Sequence, residues 1–432
     1  MHVLIVNTAE RIGGAAIAAN RLMEALKKNG VKATMLVRDK QTDQMTVSAI
    51  PQSWLLPVKF VWERVCIWMA NRLSRHNIFQ LDIANTGTDI TQMYEFEQAD
   101  VVHLHWTNQG FLSLRDLDRI LHSGKPVVIT MHDMWYFTGI CHYACDCSLY
   151  GSQCTRCPQL KAGGVGRDWA RDVFEAKRRM YSDVNLAFVG CSRWMADLAR
   201  RSRLTEGQLV VSIPNAINMQ TFHPIDEREA RQNRNLPADK QLILFGSQRI
   251  TDERKGFRYL AEACNIIHEQ HPDRAKQIGV VVLGSESEKV KDLLPFDVYT
   301  LDYLSNEHDI MELYNAVDLF VTPSLQDNLP NTIVESMACG TPCVGFNVGG
   351  IPEMIDHKEN GYVAHYKDSA DFAKGILWCL DDDNLERISV KAHEKAQTTY
   401  SEDRVARRYT DVYEMMLHGD NTAAREEMPV VI

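Results

Sequence analysis

The chain of 432 residues lacks a basic surplus: 47 Lys and Arg stand against 57 Asp and Glu, a formal net charge of -10. Nucleic-acid binders normally show the opposite balance, so that class is disfavoured, although a local basic patch is compatible with it. No run of about eighteen uncharged apolar residues occurs, so no membrane-spanning helix is expected. Met1-His2-Val3-Leu4-Ile5-Val6-Asn7 reads as a strand from the first residue, without a basic n-region or cleavage site, and no secretory signal is expected. Eleven cysteines, an odd number without such a signal, point to a reducing cytoplasm and away from a disulfide scaffold. The dinucleotide fingerprint G-x-G-x-x-G does not follow the first strand, which weakens a plain dehydrogenase reading.

What is present is an α/β chain. At 45% hydrophobic and 24% charged, the composition is that of a soluble globular protein. The length exceeds one ordinary core, so two domains of about 200 residues are the default. Val3 to Val6 is a buried strand, followed by Gly13-Gly14 opening an alanine-rich helix to Gly30, then a strand over Ala33 to Val37. Glycines there let a backbone approach a ligand closely, and a helix N-terminus favours an anion. Further strands are read at Asp100–Trp106, Pro126–Met131, Leu186–Cys191 and Leu209–Ile213. A charged, irregular stretch from Asp226 to Lys240 marks a boundary after Pro214. Alternation then restarts with strands at 242–245, 280–283, 298–301 and 319–321, and helices over 256–267, 309–316, 369–379, 385–396 and 401–417. Gly349-Gly350-Ile351 and Asn360-Gly361-Tyr362 read as turns, and residues 418–432 as a disordered tail. Two such domains in sequence would enclose a cleft.

The most informative stretch is Asp327-Asn328-Leu329-Pro330-Asn331-Thr332-Ile333-Val334-Glu335, between two short apolar strands. Pro330 is expected to open a helix, whose first N–H groups and dipole seat an anion such as a phosphate. Asp327 then lies in the turn and Glu335 inside the helix. Thr332-x-x-Glu335 is also a capping-box pattern, in which Glu335 closes its own helix end. Arg249 and Lys255 flank the strand-to-helix turn at Gly256 and have the spacing to grip a diphosphate.

Three features stand outside this frame. Residues 51–76 combine Trp54, Trp62 and Trp68 with Lys59, Arg64, Arg72 and Arg75, a pattern that fits a membrane surface or a helix covering the sheet. His105 and His132 end neighbouring strands, where open parallel sheets bind ligands. Five cysteines fall within seventeen residues, Cys141 to Cys157. Cys141, Cys147, Cys154 and Cys157 have the spacing of a structural tetrahedral zinc site, with Cys145 or His142 as substitutes and a redox sensor or iron–sulfur cluster as alternatives.

Together, Pro323-Ser324 through Asp327, Leu329-Pro330, Glu335, Ala338-Cys339-Gly340-Thr341-Pro342, Gly349-Gly350-Ile351-Pro352-Glu353 and Asn360-Gly361 resemble the signature of retaining family-four glycosyltransferases. Gly13-Gly14, Ile213-Pro214-Asn215 and Arg249…Lys255-Gly256 fall where that family has its equivalents. His105-Trp106, His132-Asp133-Met134-Trp135 and the cysteines ending Cys157-Pro158 resemble a bacterial subgroup that builds exopolysaccharide, capsule or other surface glycans.

The resemblance implies a GT-B fold, with two Rossmann-like domains facing a cleft: 1–214 on the acceptor side, 215–400 on the donor side, and helix 401–417 crossing back. It implies a cytoplasmic hexosyltransferase-type enzyme, peripheral on the inner face of the membrane if residues 51–76 contact lipid. Such an enzyme would move sugar from a nucleoside-diphosphate sugar to a glycan or lipid-linked acceptor, with retention and without a catalytic metal. Arg249 and Lys255 would stabilise the departing diphosphate, Asn328 and Leu329 would offer N–H groups, and Glu335 would bind the ribose. His132 would meet the donor sugar, and Gly13 and Gly14 would close on the phosphates.

One position departs from the family. Asp327 stands where glutamate is usual, and its shorter side chain favours an orienting role over a covalent one. A nucleotide-sugar epimerase, a phosphorylase and an inactive scaffold on the same fold remain the competing functions.

Overall fold

Parallel strands buried on both faces need continuous apolar runs. Such runs build two sheets, parallel throughout, in the computed structural model, which describes residues 1–302 and 304–419. The chain divides into two units, Met1–Pro214 together with the residues from Val405 on, and Asn215–Arg404.

The first unit carries β1 (His2–Ala9), β2 (Lys32–Asp39), β3 (Val47–Ala49), β4 (Val101–Leu104), β5 (Val127–Met131), β6 (Leu186–Gly190) and β7 (Leu209–Ser212), in the order β3-β2-β1-β4-β5-β6-β7. Val3 pairs with both Ala33 and Val101, so β1 and β4 are neighbours although β2 and β3 intervene in sequence. The strand order therefore reverses between β1 and β4, the place where the strand ends leave a crevice for a ligand. Gly13, His105 and His132 all follow strand ends on that side of this sheet. The final helix, Glu402–His418, supplies Tyr409 and Tyr413, whose hydroxyls meet Thr130 at 2.9 Å and His103 at 2.7 Å.

The second unit carries β8 (Gln241–Arg249), β9 (Ile278–Ser285), β10 (Asp297–Leu301), β11 (Leu319–Thr322), β12 (Cys343–Phe346) and β13 (Gly361–Ala364), ordered β10-β9-β8-β11-β12-β13. Its reversal lies between β8 and β11, where Leu319 pairs with Ile243. Arg249 ends β8, and Asp327 follows β11 by a short turn. Among the described residues no helix is long and apolar enough to cross a membrane.

Three local expectations change, and a fourth falls outside the described residues. Gly361-Tyr362 is not a turn but the start of β13, because Tyr362 is buried and registers with Val344. The charged stretch from Asp226 contains a helix, Glu227–Asn233, inside the second unit; Asp226 caps it, accepting from the Glu229 N–H at 3.0 Å. Its Arg231 is buried against Asp318 at 2.7 Å, so the charge there serves packing. Pro330 is the N-cap of helix Asn331–Ala338, in extended conformation with ψ 120°, so Thr332 already lies within the helix and no capping box forms. The tail expected at 418–432 lies outside the described residues from 420 on.

Candidate active site

In the second unit the chemistry gathers where β8 and β11 end. The turn after β8 holds Arg254 and Lys255, and Gly256 follows at φ 72°. A β carbon at Gly256 would sit 1.9 Å from the Pro323 carbonyl oxygen, so only glycine lets the two loops touch. This contact brings the Lys255 ammonium to 2.6 Å from Asp327 Oδ2. Arg254 donates to the Gln326 carbonyl at 3.0 Å and holds the same turn. Burial pushes the Asp327 carboxyl up, but the charges of Lys255 and Arg254 and hydrogen bonds from Lys255 and Ser324 outweigh it. The carboxyl is held below its ordinary range.

Asp327 is fixed from behind as well. Gly349, at φ 60°, packs so closely that a β carbon there would fall 1.7 Å from the Asp327 carbonyl oxygen. Asn328 and Leu329 are buried beside the start of helix Asn331–Ala338. No backbone carbonyl within the described residues takes the N–H of Leu329 or Thr332, the usual state of a helix start and one suited to an anion. Glu335 is buried within that helix and accepts a hydrogen bond from the Tyr314 hydroxyl at 3.3 Å. Arg249 is exposed, and its Nε bonds Glu286 at 2.9 Å and the Thr251 hydroxyl at 3.0 Å. A larger cavity of about 400 Å³ lies elsewhere in this unit, between Pro224, Asn315, Gly340 and His393, and touches none of these groups.

In the first unit, Gly13 caps helix Gly14–Lys28 at φ 92°, a conformation that favours glycine, and Gly14 is exposed. His132 follows β5, and its Nε2 lies 2.8 Å from His105 Nδ1, while Cys191 Sγ lies 3.5 Å from its Nδ1. His103 bonds Tyr413 and Thr130 in the layer beneath. Burial lowers all three imidazoles, His132 to about 4 and His103 to about 3, so the group is neutral at pH 7. Next to it Asp133 accepts from Trp106 Nε1 and His142 Nδ1, each at 2.8 Å.

The cysteine loop forms no disulfide among the described residues. Cys141, Cys147, Cys154 and Cys157 border one cavity of about 10 Å³, room for a single water-sized guest. Cys145, the proposed substitute, is exposed and does not line it, and His142, the other, is engaged with Asp133. No three of those sulfurs lie within 4.8 Å of one another; among the described residues only His308, Asp309 and Glu312 do so. Both of those carboxylates are already paired with Arg234.

Sequence reasoning missed Arg254 and Tyr314, and it named Gly256 and Gly349 only as turn and motif residues without the close contacts they permit. Arg254 was signalled by its place beside Lys255; nothing local marked Tyr314, which reaches Glu335 across 21 positions.

Comparison with known proteins bears on the family and the fold. The family model described as Glycosyltransferase Family 4 matches residues 12–221, and that described as Glycosyl transferases group 1 matches 239–382. A D-inositol 3-phosphate glycosyltransferase of Thermobispora bispora is 25% identical over 74% of this chain and 72% of its own. An N,N'-diacetylbacillosaminyl-diphospho-undecaprenol alpha-1,3-N-acetylgalactosaminyltransferase of Campylobacter jejuni is 26% identical over 53% of this chain and 60% of its own. The chain spans only 31% of the N-acetyl-alpha-D-glucosaminyl L-malate synthase of Bacillus anthracis, at 30% identity over 27% of this chain. Among solved structures, a sucrose-phosphate synthase from Thermosynechococcus elongatus shares the fold at TM-score 0.66 and 17% identity, covering 97% of this chain and 100% of its own. Anabaena HepE, in complex with UDP and glucose, does so at TM-score 0.61 and 16% identity, covering 96% and 99%. With both halves matched by these families and the whole fold shared with glycosyltransferases, the chain belongs to the family-four glycosyltransferases and has the GT-B fold.

Proposed function

We propose that this glycosyltransferase moves a sugar from a nucleoside-diphosphate sugar to a glycan or lipid-linked acceptor in bacterial surface-polysaccharide or glycoconjugate synthesis, with retention and without a catalytic metal. The observation that carries the reading is the Lys255–Asp327 pair, 2.6 Å long, beside the helix start at Asn331. A diphosphate needs fixed positive charge and N–H donors where its own charge grows as the sugar leaves. Lys255 and Arg249 supply the charge, and the backbone at Asn328 and Leu329 supplies the donors. Glu335 accepts from the ribose hydroxyls. In the first unit, Gly13, Gly14 and His132 are assigned to donor contact. Because the His132 ring is paired with His105, that contact falls to its main chain or requires His105 to yield. HepE's complex with UDP and glucose supports a nucleotide-linked donor, and the name of the Campylobacter relative supports a lipid-linked acceptor.

In the reaction, the acceptor hydroxyl attacks the anomeric carbon from the face the diphosphate leaves. The carbon–phosphate oxygen bond breaks, the new glycosidic bond forms, and the acceptor proton passes to the departing phosphate oxygen. Asp327, ionised and paired with Lys255, holds the lysine and the turn in place and adds negative charge near the developing cation.

A thermal-shift screen of UDP-, GDP- and ADP-linked sugars tests the reading, since binding raises stability by mass action. One base class should raise Tm, and Lys255→Met should abolish the rise. No rise with any donor, or turnover of the donor to an epimer without acceptor, would count against transfer.

We also propose residues 51–76 as a peripheral membrane contact. Helix Leu55–Ala70 buries Glu63, Arg64, Cys66 and Ile67. It leaves Trp54 77% and Trp62 53% exposed, with Leu73 and Phe79 following. Lys59 and Arg64 turn inward, Lys59 to the Gly87 carbonyl at 2.5 Å, so exposed Arg72 and Arg75 are the candidates for lipid phosphates. Folded Trp54→Glu/Trp62→Glu protein should lose binding to anionic vesicles; unchanged binding would remove this part.

A further inference from the structure

The loop from Asp133 to Asp168 carries chemistry that sugar transfer does not use. Four of its five cysteines line one small cavity, with no three of their sulfurs within 4.8 Å of one another. The Gly139 N–H donates to Cys154 Sγ at 3.3 Å, and the Gln159 backbone bonds the Cys157 sulfur. Arg156, inside the C-x-x-C turn, takes a left-handed φ of 39°.

Lys177 is the second, independent observation. Its side chain is fully buried, with the ammonium donating to the carbonyls of Trp135 at 2.5 Å, Thr138 at 3.2 Å and Gly139 at 3.1 Å. It lies 3.4 Å from the centroid of the Trp135 ring. A buried ammonium requires a counter-charge beyond carbonyl dipoles. Burial lowers Lys177 to about 7, and the acidic groups that act against this are Cys154, Asp82, Cys141 and Asp133. Of these, Asp82 is paired with Arg64 and Asp133 with His142. The thiols of Cys154 and Cys141 are what remain, and they carry charge once metal binding turns them into thiolates.

We infer that Cys141, Cys147, Cys154 and Cys157 bind one zinc ion as a tetrathiolate, with Lys177 as its buried counter-charge. Each thiol gives up its proton as its Zn–S bond forms, so four protons leave and the site carries a net charge of about -2, half of it balanced by Lys177. Zn–S bonds of about 2.3 Å place tetrahedral sulfurs about 3.8 Å apart, so the ion draws the four inward from their present spacing. With four protein ligands the ion has no open position and is structural. It braces the loop that carries Asp133 and His142, the pair that holds Trp106 beside His132.

The test uses full-length protein purified in reductant without chelator. Elemental analysis should find about one zinc per chain, and exchange with cobalt should give the d–d and charge-transfer absorption of a tetrahedral thiolate. Cys145→Ser should keep the metal. Cys147→Ser should lose it at least tenfold more readily to a chelating dye. Zinc far below one per chain in reduced protein, a disulfide among these cysteines in freshly isolated protein, or bound iron would overturn the inference. So would zinc lost from Cys145→Ser and kept by Cys147→Ser. If Cys147→Ser does not fold, the cobalt spectrum of the unaltered protein decides alone, since an octahedral or absent spectrum refutes the tetrathiolate.

Discussion

Replacing Gly349 by alanine tests whether the placement of Asp327 governs transfer. Gly349 has φ 60°, where a β carbon costs about 1 kcal/mol in backbone strain. That carbon would also lie 1.7 Å from the Asp327 carbonyl oxygen, against an ordinary contact of 3.4 Å or more. The obstacle is main chain and cannot rotate aside. If the two sides share the adjustment, Asp327 moves by roughly 0.8 Å, close to the 1 Å error that costs roughly 100-fold in a positioned reaction. The expected loss in kcat/KM is therefore about 30- to 100-fold, or about 2–3 kcal/mol. Overpacking adds about 1–3 kcal/mol to the backbone cost in stability. Gly340→Ala is the matched control: φ is 82°, but the new carbon meets only Pro224 Cγ, at 3.7 Å. It pays the backbone cost of about 1 kcal/mol and should transfer within about threefold of the unaltered protein. The assay measures nucleoside-diphosphate release and product with the donor that gives the largest thermal shift, alongside Tm and affinity for the free nucleotide. Nucleotide affinity should hold in both variants, because Glu335 stays in its helix. Equal transfer rates for folded Gly349→Ala and Gly340→Ala would refute the reasoning.

Lys255→Met should cost about 2 kcal/mol of stability, less than the roughly 3–5 kcal/mol of a fully buried pair, because the lysine side chain is 24% exposed; urea unfolding with Asp327→Asn as the second arm of a cycle measures it. His103 and His132 have folded values of about 3 and about 4, below the 6.5 of an unfolded histidine, so between pH 6.5 and 4 the unfolded chain binds more protons and stability falls as pH falls. His103→Gln should flatten that slope by about 1.4 kcal/mol per pH unit, read from Tm against pH. Burial and the neighbouring Asp82 charge raise the buried Glu63 to about 9, above its unfolded 4.5, so its protonated form favours folding and that contribution declines as pH rises toward 9. Glu63→Gln should hold its Tm from pH 6 to 9 better than the unaltered protein does, and parallel declines would exclude this assignment.

Much of the fold is legible because its strands are buried on both faces. Val3–Val6, Val127–Ile129 and Ile243–Phe245 are uninterrupted apolar runs, and the helices between them are amphipathic. The short edge strand Val47–Ala49 has no such run, and Gly361–Ala364 begins with a turn dipeptide, so both escape a local reading. The charged helix Glu227–Asn233 escapes it because buried Arg231 looks like surface until Asp318 is beside it.

By itself, then, the sequence determined the residue types of the candidate site and their order along the chain. Arg249, Lys255, Asp327 and Glu335 are residue types suited to a phosphate and a ribose if the fold lets them meet, and a dense cysteine loop is suited to thiol or metal chemistry. Only the tertiary structure decided who meets whom. It paired Lys255 with Asp327 across 72 positions, stacked His105 on His132, set Tyr314 against Glu335 and left Cys145 outside the thiol cavity. It also turned a capping-box pattern into an ordinary helix interior by placing the cap at Pro330. The reason is physical: local pattern reports which face of an element is apolar, whereas these contacts depend on the register of strands far apart in the chain and on glycines whose missing β carbons let loops touch.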